Sequence, residues 1–194
     1  MREPGRVAVL LSGRGSNMRA LVEQAQGYEV VLVASNNPVA AGLQWARDQA
    51  IPTWTWDSRG IDKREWESAL DQMLTDHRIG TIALAGFMRI LSPEFTRSRA
   101  GRIVNIHPSL LPKYRGLDTH RRAIEAGDPV GGCSVHLVTE ELDAGDVIAQ
   151  AQVPILANDT EASLEARVLE AEHELYPKAL AEFVRRPLFQ DGGE

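Results

Sequence analysis

Cysteine is nearly absent: Cys133 stands alone in 194 residues, so the chain can build neither a disulfide framework nor a cysteine zinc cluster. Basic charge is also in deficit, with 21 Lys and Arg against 27 Asp and Glu and a net charge of −6. That sum argues against a surface made for nucleic acid or anionic membrane, while leaving room for a local basic pocket. No run approaches the roughly 18 apolar residues of a membrane span. The opening Met1-Arg2-Glu3-Pro4-Gly5 lacks the apolar stretch and cleavage site of a signal peptide. The expectation is a soluble, cytoplasmic chain, with no nucleic-acid or membrane partner and one domain over residues 1–194.

What is present is a repeating alternation. Val7–Leu11 is an uninterrupted apolar run, followed by the polar, Gly-rich Ser12-Gly13-Arg14-Gly15-Ser16-Asn17 and then by Met18, Leu21, Val22 and Ala25 at helical spacing. A buried parallel strand feeding a crossover helix has this pattern. Strands are expected again at Val30–Ala34, Thr53–Trp56, Thr81–Ala85 and Ile103–His107, with helices at Leu43–Gln49 and Asp62–Asp76. The predicted fold class is α/β: an open, mainly parallel twisted sheet with helices on both faces and a Rossmann-like N-terminal half. Toward the C-terminus, Gly132–Val138 and Val147–Val153 read as two strands joined by an acidic loop, which favours an antiparallel or long-loop pairing and a mixed sheet. Thr160–Glu161 opens a helix to about Phe183, with a kink expected near Tyr176 because Pro177 lies inside it, and a polar tail follows. Cys133, in a strand-like run, reads as a small buried hydrophobe.

The Gly-rich loop lies where parallel sheets bind ligands, at a strand's carboxyl end. Gly13 and Gly15 allow an anion to approach the backbone, and Ser16 or Asn17 could cap the helix that follows. Met18 stands where a dinucleotide fingerprint needs its third glycine, Ser35-Asn36-Asn37 supplies no ribose-binding carboxylate, and no Lys-Ser/Thr follows. A monophosphate site remains, beside the plainer reading of a well-capped turn. A nicotinamide oxidoreductase is disfavoured. A non-catalytic phosphate-binding module would account for this loop alone.

Along Ile103–Pro108, strand alternation puts Asn105 and His107 on one face, and Pro108 sets His107 at the strand's end. An amide that can donate to an oxyanion beside an imidazole that exchanges protons near neutral pH suggests a reaction centre. A carboxylate should orient the imidazole, and Glu140, Glu141, Asp143 and Asp146 are all candidates by spacing. On the C-terminal helix, Leu164, Val168, Leu169, Leu175, Tyr176, Leu180 and Phe183 form an apolar stripe. Glu172 falls near its centre, with His173 toward the rim. A carboxylate there requires an ion-pair partner or a ligand amine.

Asn105-Ile106-His107-Pro108-Ser109-Leu110-Leu111-Pro112-Lys113-Tyr114 resembles the signature of the folate-dependent formyltransferases. With Ser12–Asn17 and Ala85-Gly86-Phe87-Met88-Arg89-Ile90-Leu91, the resemblance narrows to the branch that formylates glycinamide ribonucleotide in purine biosynthesis. It runs from about Val7 to Tyr176. It implies formyl transfer from 10-formyltetrahydrofolate as co-substrate, small-molecule partners, no metal, and a monomer or homodimer. It also implies that Asn105, His107 and Asp143 are catalytic, and that Gly15, Ser16, Asn17 and Glu172 bind the ribonucleotide. Arg64, Met88, Arg89, Ile90, Leu91 and Asn105 are implied to bind the folate. Arg115 and Asp118 stand where family members more often carry Pro and His. Hydrolysis of 10-formyltetrahydrofolate, or formylation of another acceptor, is the alternative within the family.

Overall fold

Strand β1 (Glu3–Leu11) shows how the sheet divides the core. Val7, Val9 and Leu11 enter one apolar cluster, while Ala8 and Leu10 enter a second on the other face, as a period of two requires. The computed structural model describes residues 3–186; the first two residues and the expected polar tail beyond 186 lie outside the described residues. The remaining elements are α1 (Ser16–Glu23), β2 (Glu29–Ser35), α2 (Ala41–Asp48), β3 (Thr53–Thr55), α3 (Lys63–Asp76), β4 (Ile79–Leu84) and α4 (Pro93–Ser98). They are followed by β5 (Ile103–His107), α5 (Thr119–Glu125), β6 (Val130–Leu137), β7 (Val147–Pro154) and α6 (Glu161–Arg185).

Seven strands form one sheet in the order β3-β2-β1-β4-β5-β6-β7. The first five are parallel to one another, and β6 and β7 join antiparallel. The mixed sheet and Rossmann-like half expected from the alternation are both present. Met18 and Leu21 of α1, Leu43 and Ala46 of α2, and Tyr176 and Leu180 of α6 cover one face. Trp66, Leu70 and Leu74 of α3 and Phe95 of α4 cover the other. Helices α4 and α5 were not expected. They have six and seven residues, too short for an apolar period to stand out.

Two details of α6 bear on the site. The helix continues through Pro177, whose missing N–H leaves the His173 carbonyl without its helical donor; Gln24 Nε2 donates to that oxygen at 3.2 Å. One turn on, the Tyr176 hydroxyl shares its hydrogen between the carbonyls of Leu84 at 3.1 Å and Val104 at 3.2 Å, pinning α6 against β4 and β5. Burial pushes this phenol well above its ordinary pKa, so it remains a donor.

Tyr176→Phe should therefore lower stability by about 1–3 kcal/mol, the range for losing a buried donor. Urea unfolding followed by circular dichroism measures it; an unchanged midpoint would mean that packing alone seats the helix.

Candidate active site

The strand order reverses between β1 and β4, and open sheets form their ligand crevice at such a point. Ser12, just past β1, ties the crevice floor together. Its N–H donates to Gly86 O at 3.0 Å, its hydroxyl donates to Asn36 Oδ1 at 2.6 Å and accepts from Met88 N at 2.8 Å. Beside it, Gly15 has a left-handed backbone, φ +77°, and a Cβ there would lie 3.0 Å from the Gly42 Cα and 3.2 Å from Leu11 Cδ2. Loop and α2 meet backbone to backbone, a contact that only glycine permits.

Above this floor lies a cleft of about 1010 Å³. Its lining includes Asn17, Met88, Arg89, Ile90, Leu91, Asn105, His107, His136, Asp143 and Glu172, so most of the residues singled out from the sequence meet in one place. Gly15 and Ser16 stand at the start of α1, next to the lining residue Asn17. Arg64 is exposed in the first turn of α3 and is not among the lining residues. Arg89 lies over the Trp66 ring of that helix, 5.6 Å from its centre.

The pairing of β5 with β6 builds the polar end of the cleft. Asn105 stands opposite His136, and His107 opposite Ser134. His136 donates Nδ1–H to the Leu137 carbonyl at 2.8 Å, so its Nε2 accepts from Asn105 Nδ2 at 3.1 Å. Burial, first, lowers the His136 pKa and favours this neutral ring. His107 Nε2 meets the Tyr114 carbonyl at 3.0 Å, and a carbonyl can only accept, so that nitrogen carries the proton. His107 Nδ1 lies 3.4 Å from Asp143 Oδ2, and His136 Nε2 lies 3.6 Å from Oδ1 of the same carboxylate. Asp143 has a left-handed backbone at φ 49°, its side chain is 8% exposed, and Oδ2 accepts from Gly116 N at 2.9 Å. Among the four acids of the loop, Asp143 thus reaches the imidazole. Glu140 and Glu141 instead pair with Arg97 and Arg115, each at 2.7 Å on the surface. Ser134 anchors the loop after β5, donating to Ser109 O at 2.6 Å and accepting from Leu111 N at 3.0 Å.

At the cleft's α6 wall, Glu172 is buried, and its Oε2 accepts from Asn17 Nδ2 at 2.7 Å. Desolvation raises the Glu172 carboxyl to about 7 despite that hydrogen bond. The structural ion pair weighed for Glu172 is therefore not its contact: the partner is a neutral amide. Nor does Asn17 or Ser16 cap α1. Gly15 occupies the cap position, and no side chain accepts from the first turn. Asn17 Oδ1 is buried with no partner, an acceptor left open beside a carboxylate.

A family model described as formyl transferase matches residues 5–180. The chain belongs to the formyl transferase family. It is 46% identical over 182 residues to phosphoribosylglycinamide formyltransferase of Escherichia coli K12, covering 91% of this chain and 86% of that protein. It is also 49% identical over 186 residues to the trifunctional purine biosynthetic protein adenosine-3 of Drosophila melanogaster, of whose length it spans 14%. The crystal structure of phosphoribosylglycinamide formyltransferase from Brucella melitensis superposes with a TM-score of 0.89 at 45% identity, covering 98% of this chain and all, 100%, of that one.

Within this formyl transferase, sequence reasoning missed His136 and His120, both cleft-lining. The signal for His136 was Ser134 and His136 alternating within the apolar β6; its use required the β5–β6 register. His120 lies in the first turn of α5, and burial lowers its pKa. Arg115 and Asp118, the two departures from the family pattern, pair with Glu141 and Arg121 in exposed contacts, which contribute little stability.

The Glu172 shift carries a pH signature. Its folded pKa, about 7, exceeds the ordinary 4.5, so the folded state binds the extra proton and wild-type stability falls as pH rises between those values. Relative to wild type, Glu172→Gln should gain about 1–3 kcal/mol from pH 5 to pH 8, with no further gain above. Urea unfolding of both proteins at the two pH values tests this; a constant difference would contradict it.

Proposed function

We propose that this chain transfers the formyl group of 10-formyltetrahydrofolate to the primary amine of glycinamide ribonucleotide, as a single-domain cytoplasmic enzyme. The observation that carries the proposal is the content of one cleft. It holds an imidazole–carboxylate pair, His107 with Asp143, together with a buried acceptor pair, Glu172 with Asn17 Oδ1, that meets no cation among the described residues. A polar acceptor substrate with N–H and O–H donors suits the second pair. The start of α1, uncapped by any side chain, suits its phosphate at Gly15, Ser16 and Asn17. The names of the Escherichia coli and Brucella relatives support the same acceptor.

The folate fits what remains. Met88, Ile90, Leu117 and Leu142 are large apolar side chains, 70%, 66%, 72% and 52% exposed, and all line the cleft, as a flat heterocycle requires of its walls. Arg89, with Arg64 on the neighbouring helix, is assigned to the carboxylates of the folate tail.

An amine of this type has a pKa near 8, so a useful fraction is neutral at pH 7. Attack on the formyl carbon moves negative charge onto its oxygen. Asn105 and the imidazolium of His107 donate to that oxygen, and Asp143 favours the charged ring while the charge develops. Collapse of the tetrahedral adduct breaks the bond from the formyl carbon to the folate nitrogen, which leaves with one proton as the attacking amine gives one up; with Nε2–H held by Tyr114, Nδ1 is the ring atom that exchanges it. His136 holds the Asn105 amide so that its donor keeps its direction.

A coupled assay with 10-formyltetrahydrofolate and glycinamide ribonucleotide should yield the formylated ribonucleotide from chelator-treated protein. Release of formate alone would replace this reading with the hydrolase. In the same assay, Asn105→Ala and His107→Ala should each cost at least about 10²-fold in turnover. The double variant should lose less than the product of the two, because both groups serve one transition state.

A further inference from the structure

His107 Nε2 is fixed by a backbone carbonyl, and the residue that owns that carbonyl is under strain. Tyr114 sits in the loop between β5 and α5 with φ 55°, a left-handed conformation that a bulky side chain adopts only when its surroundings hold it. Packing does not supply all of that hold. Tyr114 borders a second cavity of about 330 Å³, walled also by Leu110, Pro112, Ala123, Val130 and Leu164, which leaves open space beside it. Polar contacts fill the gap. The Tyr114 hydroxyl donates to Asp128 Oδ2 at 2.8 Å, and Lys113 Nζ donates to the same carboxylate at 2.9 and 3.1 Å. The Arg122 guanidinium lies over the ring, 5.2 Å from its centre. Asp128, at the turn between α5 and β6, thereby clasps two successive residues of the loop that ends against His107. Hydrogen bonds from Lys113, then from Tyr114, hold its carboxyl below the ordinary range, so it stays charged.

We propose that Asp128 is a positioning residue: by clasping the Tyr114 ring it keeps the Tyr114 carbonyl on His107 Nε2, and so leaves Nδ1, beside Asp143, as the nitrogen that exchanges the proton. The proposal rests on the formyl-transfer reading for its consequence, though not for its geometry. A neutral imidazole has one N–H, and here the closer acceptor holds it: the Tyr114 carbonyl is 3.0 Å from Nε2, whereas Asp143 Oδ2, already accepting from Gly116 N, is 3.4 Å from Nδ1. If the Tyr114 carbonyl moves away, the proton redistributes toward Nδ1 and Asp143, and the ring turns its lone pair away from the reaction centre. Asp128 touches neither substrate in this scheme.

The test uses the full chain labelled with ¹⁵N-histidine, the His107 signals being assigned by their loss in His107→Ala. In the wild type, the neutral His107 ring should show the Nε2–H pattern. In Asp128→Ala, the Nδ1–H tautomer should appear, with kcat about tenfold lower and both KM values within twofold of wild type. Asp128→Asn retains an acceptor for the Tyr114 hydroxyl and should restore most of the Nε2–H population. Tyr114→Phe removes the same bond from the other side without changing the loop's bulk. It should reproduce Asp128→Ala, and it keeps the test open if the latter folds poorly. An unchanged tautomer with kcat within twofold in both variants overturns the proposal. So does a rise in both KM values at constant kcat, which would make the loop a binding element. The tautomer measurement needs no substrate. Its shift in a protein that proves unable to formylate glycinamide ribonucleotide would therefore retain the clasp and reject the reaction.

Discussion

One buried carboxylate organises the polar end of this cleft. Asp143 stands within 3.4 Å of the His107 ring and 3.6 Å of the His136 ring while accepting the Gly116 N–H. An isolated carboxylate at such a depth would be expensive, and the Gly116 N–H, with the His107 ring when it is protonated, offsets the desolvation. The sheet makes the meeting possible. Where β6 joins β5 antiparallel, residues face one another in register, so Asn105 and His136 become neighbours. The long connection from β6 to β7 then returns over the strand ends, bringing Asp143 back to the chemistry of β5.

A second buried carboxylate sets the other end. Glu172 owes its position to α6, which Tyr176 fastens to the carbonyls of β4 and β5 and which Gln24 supports where Pro177 leaves a carbonyl unpaired. The two carboxylates are in different electrostatic situations. Asp143 faces the His107 ring, whose second nitrogen can take a proton, whereas the hydrogen-bond partner of Glu172 among the described residues is the neutral Asn17 amide, and desolvation raises Glu172 to about 7. In the proposed reaction the first serves proton exchange and the second receives a polar ligand, which supplies the donors that the protein withholds.

Much of this was legible in the residues. The apolar run into Ser12–Asn17 marks a parallel strand and its ligand edge, and the alternation in Ile103–His107 sets Asn105 and His107 on one face. Glu172 betrays itself as a charge within the apolar stripe of α6. What could not be read depends on contacts between distant segments. The register that sets His136 against Asn105 is a relation between two strands, and strand pattern alone leaves it open. Asp143 is one of four acids in a loop whose path no local rule specifies. Asn17 looked like a helix cap, since its competition for a carboxylate 155 residues away is invisible locally. Arg64 was carried over by resemblance, and it stands outside the lining of the cleft.

The central claim is that the Asp143 carboxylate serves the chemical step and not the binding of either substrate. Single-turnover formyl transfer by Asp143→Asn, with both substrate dissociation constants measured on the same protein, tests it most directly. The account predicts a transfer step slower by at least about 10²-fold with both constants within about threefold of wild type. A transfer rate near wild type, or a loss explained entirely by weaker binding, would contradict it.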